Sequence, residues 1–224
     1  MHRVEFHCHT IFSKDSLTPP LKLIEACRRK GIDRVVITDH NTITGAKIAS
    51  EFDPQRVIVG EEIMTTKGEI LAAFVTEEIP AMLAPMETIN RLRDQGAFIS
   101  VSHPFDKWRK GGWEEDDLLD IIPKVDAIEI YNSRCYQPSF NRHAIDFAKK
   151  HNLAGTVGSD AHTVFELGRS TLILEPFEGP DELRNSIRNA ILQTRWSPPW
   201  FHVISRYASL RKKIKFGLDM HRRP

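Results

Sequence analysis

His7-Cys8-His9 places two imidazoles two residues apart. In a β-strand, residues i and i+2 share a face, so both rings can reach one ion while Cys8 points the other way, into packing. Alone, such a pair suits a satisfied core or a surface equally well. Here it is accompanied by Asp39-His40, Glu61-Glu62, His103-Pro104 and Asp160-Ala161-His162, each at the end of a β-forming run. Burying that many ionisable groups on one rim is expensive through desolvation and mutual repulsion unless cations neutralise the carboxylates. Mixed imidazole and carboxylate donors without a cysteine cluster suit Zn²⁺, Mn²⁺ or Fe²⁺ and argue against a closed structural zinc site. One ion would be over-supplied with ligands, so two or three divalent ions are expected. Clustered ions with open positions generate hydroxide near neutral pH and clamp the oxygens of a phosphoester.

The elements that must carry these groups are short. β-rich runs cover Val4–His9, Arg34–His40, Arg56–Glu62, Ala97–His103, Ala127–Asn132 and Ala154–Asp160. Helical patterns fall between many of them. One is capped by Thr18, with Pro19 in its first turn and Gly31 as its stop; others run over 85–95, 140–151 and 181–192. Continuous apolar runs such as Val35-Val36-Ile37 suit strands buried on both faces of a parallel sheet. In such sheets active sites lie at the carboxyl ends of the strands, which is where the ionisable residues fall. The expected architecture is an α/β barrel with one rim rich in His, Asp and Glu.

The chain has 224 residues, 41% hydrophobic and 27% charged, with a net charge of +1. That balance argues against a nucleic-acid coat protein and against disorder, and no apolar run approaches membrane-spanning length. Three scattered cysteines (Cys8, Cys27, Cys135) make no disulfide framework and point to a reducing, cytoplasmic setting. No phosphate-cradling G-x-x-x-x-G-K-[ST] loop occurs.

Taken in order, His7-x-His9, Ser13-x-Asp15-Ser16, Thr38-Asp39-His40, Gly60-x-Glu62, His103-Pro104 and Gly158-Ser159-Asp160-Ala161-His162 resemble the motif set of the PHP (polymerase and histidinol phosphatase) family of metal-dependent phosphoesterases. The resemblance spans residues 1–194 and implies a distorted (β/α)₇ TIM-like barrel with a trinuclear centre. The activity it implies is hydrolysis of phosphomonoesters or phosphodiesters by a metal-bound hydroxide, with no protein nucleophile. By that analogy His7, His9 and Asp160 hold one ion and Asp15, His40 and His162 a second. Glu62 and His103 then bridge to the third. Where several relatives have a histidine, this chain has Gly68-Glu69-Ile70, so Glu69 is the candidate to complete the third site; Glu129 and Asn132 line the same rim.

A phosphate needs further cations. Arg134 and Arg169 are the first candidates, followed by Lys107, Arg109 and Lys110 in a loop that also carries Trp108 and Trp113 and could stack a base. Expected substrates are a nucleotide, an oligonucleotide end or a small phosphometabolite. A histidinol-phosphatase-like enzyme, an amidohydrolase and a non-catalytic metal-binding module are the alternatives.

Residues 195–224 form a basic extension, +7 against −6 for the rest, set off by Pro198-Pro199. Val203, Tyr207, Leu210 and Ile214 make a helical apolar stripe. Docking on the acidic body, contact with an RNA or DNA end, and lying on an anionic membrane surface remain open for it.

Overall fold

The computed structural model describes residues 1–220; Arg222 and Arg223 lie outside the described residues, as does the side chain of Lys215. In chain order the elements are β1 (His2–Cys8), α1 (Pro20–Arg29), β2 (Arg34–Ile37), α2 (Thr44–Phe52), β3 (Val57–Met64), β4 (Glu69–Ala73), α3 (Pro85–Asp94), β5 (Phe98–Val101), α4 (Glu115–Ile121), β6 (Ala127–Asn132), α5 (Pro138–Lys150), β7 (Ala154–Gly158), β8 (Thr171–Leu174), α6 (Pro180–Ser186), β9 (Ile191–Gln193) and α7 (Trp200–Met220).

The strands make one sheet in the order β7-β6-β5-β4-β3-β2-β1-β8-β9. Its ends curl together: the His9 amide donates to the Ala161 carbonyl at 2.8 Å, and Cys8 and Ala161 form a parallel bridge. β1 and the segment three residues past β7 therefore nearly close a seven-stranded barrel, with β8 and β9 appended outside the closure. Phe6 of β1 and Phe98 of β5, on strands that are not neighbours, meet edge-on at 5.6 Å, so the contact crosses the barrel. Ile24, Cys27 and Ala46 pack α1 and α2 on β1 and β2, and Ile89, Leu118 and Phe147 pack α3, α4 and α5 on the other side of the barrel.

The barrel is the architecture expected, but the sheet is mixed. β3-β4-β5 run antiparallel, as do β1-β8 and β8-β9. The sequence pattern missed β4 because Glu69–Ala73 returns directly from β3, without a helix to announce it. The helix expected over 181–192 stops at Ser186; a 3-10 turn follows and then β9, whose three residues are exposed. Thr18 does not cap α1. Pro19 precedes the helix in extended conformation, and the Thr18 hydroxyl donates instead to the His162 carbonyl at 3.1 Å.

The apolar stripe of α7 is not its packing face. Val203, Tyr207, Leu210 and Ile214 are each more than half exposed, whereas Phe201, Ser205 and Ala208 are buried. Small residues at Ser205 and Ala208 let the helix backbone approach the barrel closely, which larger stripe residues would prevent.

Candidate metal centre

Each candidate side chain is delivered by the carboxyl end of a strand or the loop just beyond it: His7 and His9 by β1, Asp15 by the loop after it, His40 after β2, Glu62 by β3, His103 after β5, and Asp160 and His162 after β7. Glu69 is the exception, at the start of antiparallel β4, opposite Met64 in the register. Two of the loops turn through the left-handed region at non-glycine residues, Asn41 (φ 54°) and Asp160 (φ 50°). Asp and Asn tolerate that region better than most, and such strain is characteristic of functional sites. Gly158 has no alternative at its position: a Cβ there would run into His7 and the Glu129 carboxylate.

The groups converge on Glu62. Its Oε2 lies 3.2 Å from His7 Nε2, 3.4 Å from His9 Nε2 and 3.0 Å from His40 Nδ1, and its Oε1 lies 3.2 Å from His103 Nε2. Asp160 Oδ1 stands 3.3 Å from His9 Nε2 and 3.4 Å from His162 Nδ1. Asp15 Oδ2 is 3.1 Å from His162 Nε2 and 3.5 Å from His40 Nε2. Glu69 joins them, 3.3 Å from His103 and 3.5 Å from His40. Three donor sets are close enough to share an ion: His7, His9 and Glu62; His9, His40 and His162; His40, Glu62 and Glu69. All nine side chains are thus in one cluster, with Glu69 inside it.

A surrounding layer fixes their orientation. Glu129 Oε1 takes the Nδ1 of His7 at 3.0 Å, while its Oε2 accepts from the His103 amide at 2.8 Å and from Asn132 at 3.1 Å. Ser13 Oγ is 3.0 Å from His9 Nδ1, and Ser102 Oγ donates to Glu62 at 2.7 Å. Asp39 faces away from the centre, accepting from the Thr10 amide at 2.6 Å, and Cys8 packs in the core.

The donors are chemically suited to divalent cations. His7 Nε2, His9 Nε2 and His40 Nδ1 are buried without a hydrogen-bond partner. Against burial, the Glu62, Asp15 and Glu69 carboxylates raise His40 to about 9. His103, lowered by burial and by Arg109, is nonetheless raised to about 10 by Glu62 and Glu69. His9, buried and flanked by His162 and His40, is lowered to about 3. The carboxylates thus favour the protonated forms of His40 and His103, while His9 favours the neutral ring; divalent cations would balance the same carboxylates with the rings neutral, the form in which imidazole ligates.

An open cavity of about 460 Å³ leads to the cluster. Arg134 lines it but is itself buried: it contacts His162 Nδ1, donates to Ser205 Oγ at 2.7 Å, and has Glu166 3.4 Å away. Arg169 lies outside the lining, donating to the Trp196 carbonyl at 2.6 Å beside the Phe201 ring. Of the basic aromatic loop, Trp113 is core, donating to the Glu69 carbonyl at 3.0 Å. Arg109 pairs with Asp160, and Trp108 remains exposed. Sequence patterning missed Glu5 and Glu166, buried carboxylates that accept from Ser159 and the His162 amide, and it missed the cavity wall supplied by α7. Nothing in a lone acidic residue or in an apolar stripe pointing elsewhere signals those roles.

Family models for the PHP domain match residues 5–95 and for a PHP-associated region residues 138–191. The chain is 38% identical over 186 residues to an uncharacterized protein of Methanocaldococcus jannaschii, covering 81% of this chain and 75% of that one. Its fold is similar to that of PsfC from Pseudomonas syringae (TM-score 0.68, 17% identity, 94% of this chain and 99% of that chain). It is also similar to that of the lesion-specific endonuclease Q of Pyrococcus furiosus (0.62, 16%, 84% and 56%). With the ordered motifs delivered to one rim of a nearly closed barrel and family matches over both halves of it, the chain belongs to the PHP domain family.

Proposed function

We propose that this chain is a metal-dependent phosphoesterase that hydrolyses a phosphomonoester or phosphodiester, with two or three divalent ions (Zn, Mn or Fe) held by His7, His9, Asp15, His40, Glu62, Glu69, His103, Asp160 and His162. The observation that carries this reading is the meeting of nine side chains with nitrogen or oxygen donors in one cluster, four of its histidines against Glu62, with buried imidazole nitrogens that have no hydrogen-bond partner. When bound, the ions lower the pKa of coordinated water and stabilise charge on phosphoryl oxygens.

The chain's own residues do the positioning. Glu129 holds His7 by Nδ1 and Ser13 holds His9 by Nδ1, so both rings present Nε2 to the centre. Glu62 sits between His7, His9, His40 and His103, as a bridging carboxylate would. Arg134, at the cavity wall beside His162, supplies a fixed positive charge for the substrate phosphate. The cavity has room for a nucleotide or a comparable phosphometabolite. The fold neighbour named as a lesion-specific endonuclease supports a nucleotide or nucleic-acid end as the substrate class.

The test is a hydrolysis screen of full-length protein, depleted of metal and then resupplied with Mn²⁺ or Zn²⁺, on p-nitrophenyl phosphate, its diester and nucleotides. Turnover that depends on added metal supports the reading. Metal binding without turnover of any phosphoester favours a non-catalytic module or another hydrolytic chemistry.

A further inference from the structure

Helix α7 turns most of its large apolar side chains away from the barrel. Trp200, Val203, Tyr207, Leu210 and Ile214 are between 55% and 64% exposed, whereas Phe201, Ser205 and Ala208 are buried. At 3.6 residues per turn the five exposed residues fall along one line, about 21 Å long, on the side of the helix opposite the buried three. We propose that this outward face of α7 lies on an anionic lipid surface and holds the protein at a membrane.

The chemistry of the face selects that partner. Arg206 and Lys213 border the apolar line on one side and Arg211 on the other; all three are exposed and form no ion pair among the described residues. Residues 200–214 contain no Asp or Glu. An apolar band edged by cations and carrying Trp and Tyr sinks to the level of the lipid headgroups, where its cations meet anionic groups and its aliphatic side chains leave water. No helix among the described residues is long and apolar enough to cross a membrane, so α7 lies along the surface. Two other partners fit this face less well. A second copy of the helix, packed on the same line, would set Arg206, Arg211 and Lys213 against their own counterparts. A nucleic acid would engage the cations but leave Val203, Leu210 and Ile214 in water.

The helix is also formed and mounted before any contact is made. Arg134 donates to Ser205 Oγ at 2.7 Å, and Lys212 Nζ donates to the carbonyls of Ile11, at 2.5 Å, and Ser13. These ties fix the inner face to the barrel, so the outer face is presented without the ordering cost that an unfolded segment would meet on binding. The loop held by Lys212 adds two more exposed apolar side chains to the same rim, Ile11 and Phe12, each 41% exposed.

The experiment is co-sedimentation of the full-length protein with vesicles of phosphatidylcholine alone or of equimolar phosphatidylcholine and phosphatidylserine. No substrate is present, so the result is independent of the phosphoesterase reading. The wild-type protein is expected to bind the anionic vesicles at least about tenfold more tightly than the neutral ones, with the preference eroded by salt. Val203→Ser/Ile214→Ser, at exposed positions, should weaken binding to the anionic vesicles by about tenfold or more, and Arg211→Glu should weaken it as well. Wild-type protein that stays in the supernatant with anionic vesicles overturns the proposal. So does a double variant that binds as tightly as wild type, since charge alone would then account for the binding. A wild-type dimer that the double variant converts to monomer in sedimentation equilibrium assigns the face to a second copy instead. Binding of single-stranded RNA that Arg211→Glu abolishes, without vesicle binding, assigns it to nucleic acid. If the double variant does not fold, Arg211→Glu and the salt dependence of the wild-type protein still decide.

Discussion

Glu129 and His7 face each other at 3.0 Å, both wholly buried, and that contact selects the His7 nitrogen that looks into the donor cluster around Glu62. With Nδ1 committed to the carboxylate, Nε2 is left for an ion. Because Glu129 also holds the His103 amide and Asn132, one carboxylate orients two candidate ligands and a neighbour of Asp160. Glu129→Gln should therefore weaken metal affinity by about tenfold to a hundredfold with the fold retained. Metal titration followed by calorimetry, with circular dichroism as control, checks this; unchanged affinity would remove the orienting role.

His9 reaches toward both Glu62 and Asp160 and takes part in two of the three donor sets. His9→Ala should lose bound metal and hydrolytic activity together. A variant with full activity at normal metal content would contradict the assignment.

Ser205→Ala removes the hydroxyl that accepts from Arg134 and loosens α7 over the cavity. The stability loss should be small, about 1 kcal/mol, whereas kcat/KM for a nucleotide should fall more than that for p-nitrophenyl phosphate. Arg134→Ala should cost about 3–5 kcal/mol, because it leaves the buried Glu166 carboxylate without its cation. Thermal melts of the two variants side by side measure the difference.

Glu61 points to the opposite side of β3 from Glu62, where it accepts from the Ile79 amide at 3.0 Å. Burial pushes its carboxyl up to about 8, against the pull of that hydrogen bond and with help from Glu78. Its folded pKa lies above the unfolded value, so the folded state favours the neutral acid. The stabilisation it contributes is complete below about pH 4.5 and is lost as pH rises through about 8. Glu61→Gln, which stays neutral, should flatten the decline of Tm between neutral and alkaline pH; identical pH profiles for the two proteins would contradict the assignment.

Much of this arrangement was legible in the sequence because strand-end chemistry is local: an H-x-H at the end of β1 and a D-x-H after β7 announce themselves. The barrel was legible for the same reason, since Val35-Val36-Ile37 reads as a buried strand without knowledge of its neighbours. What escaped depends on distant partners. β4 has no helix before it, so the strand went unread although Glu69 at its start was a candidate ligand, and that residue comes to the centre because the strand turns back on β3. The helix expected through Leu192 gives way to β9 because Ile191, Leu192 and Gln193 find ladder partners on β8. On α7 the apolar stripe was plain, but its direction was not: close approach to the barrel needs Ser205 and Ala208 on the inner face, and the large residues are turned to solvent.

The central claim is that the cluster around Glu62 is a multinuclear catalytic site. Its most direct test is hydrolytic rate against equivalents of Mn²⁺ or Zn²⁺ added to metal-free protein, with bound metal determined by elemental analysis at each step. The claim predicts that activity is absent without metal and rises to a plateau at two or three bound ions per chain. A protein that takes up no metal, or whose hydrolysis is indifferent to the metal it holds, would contradict it.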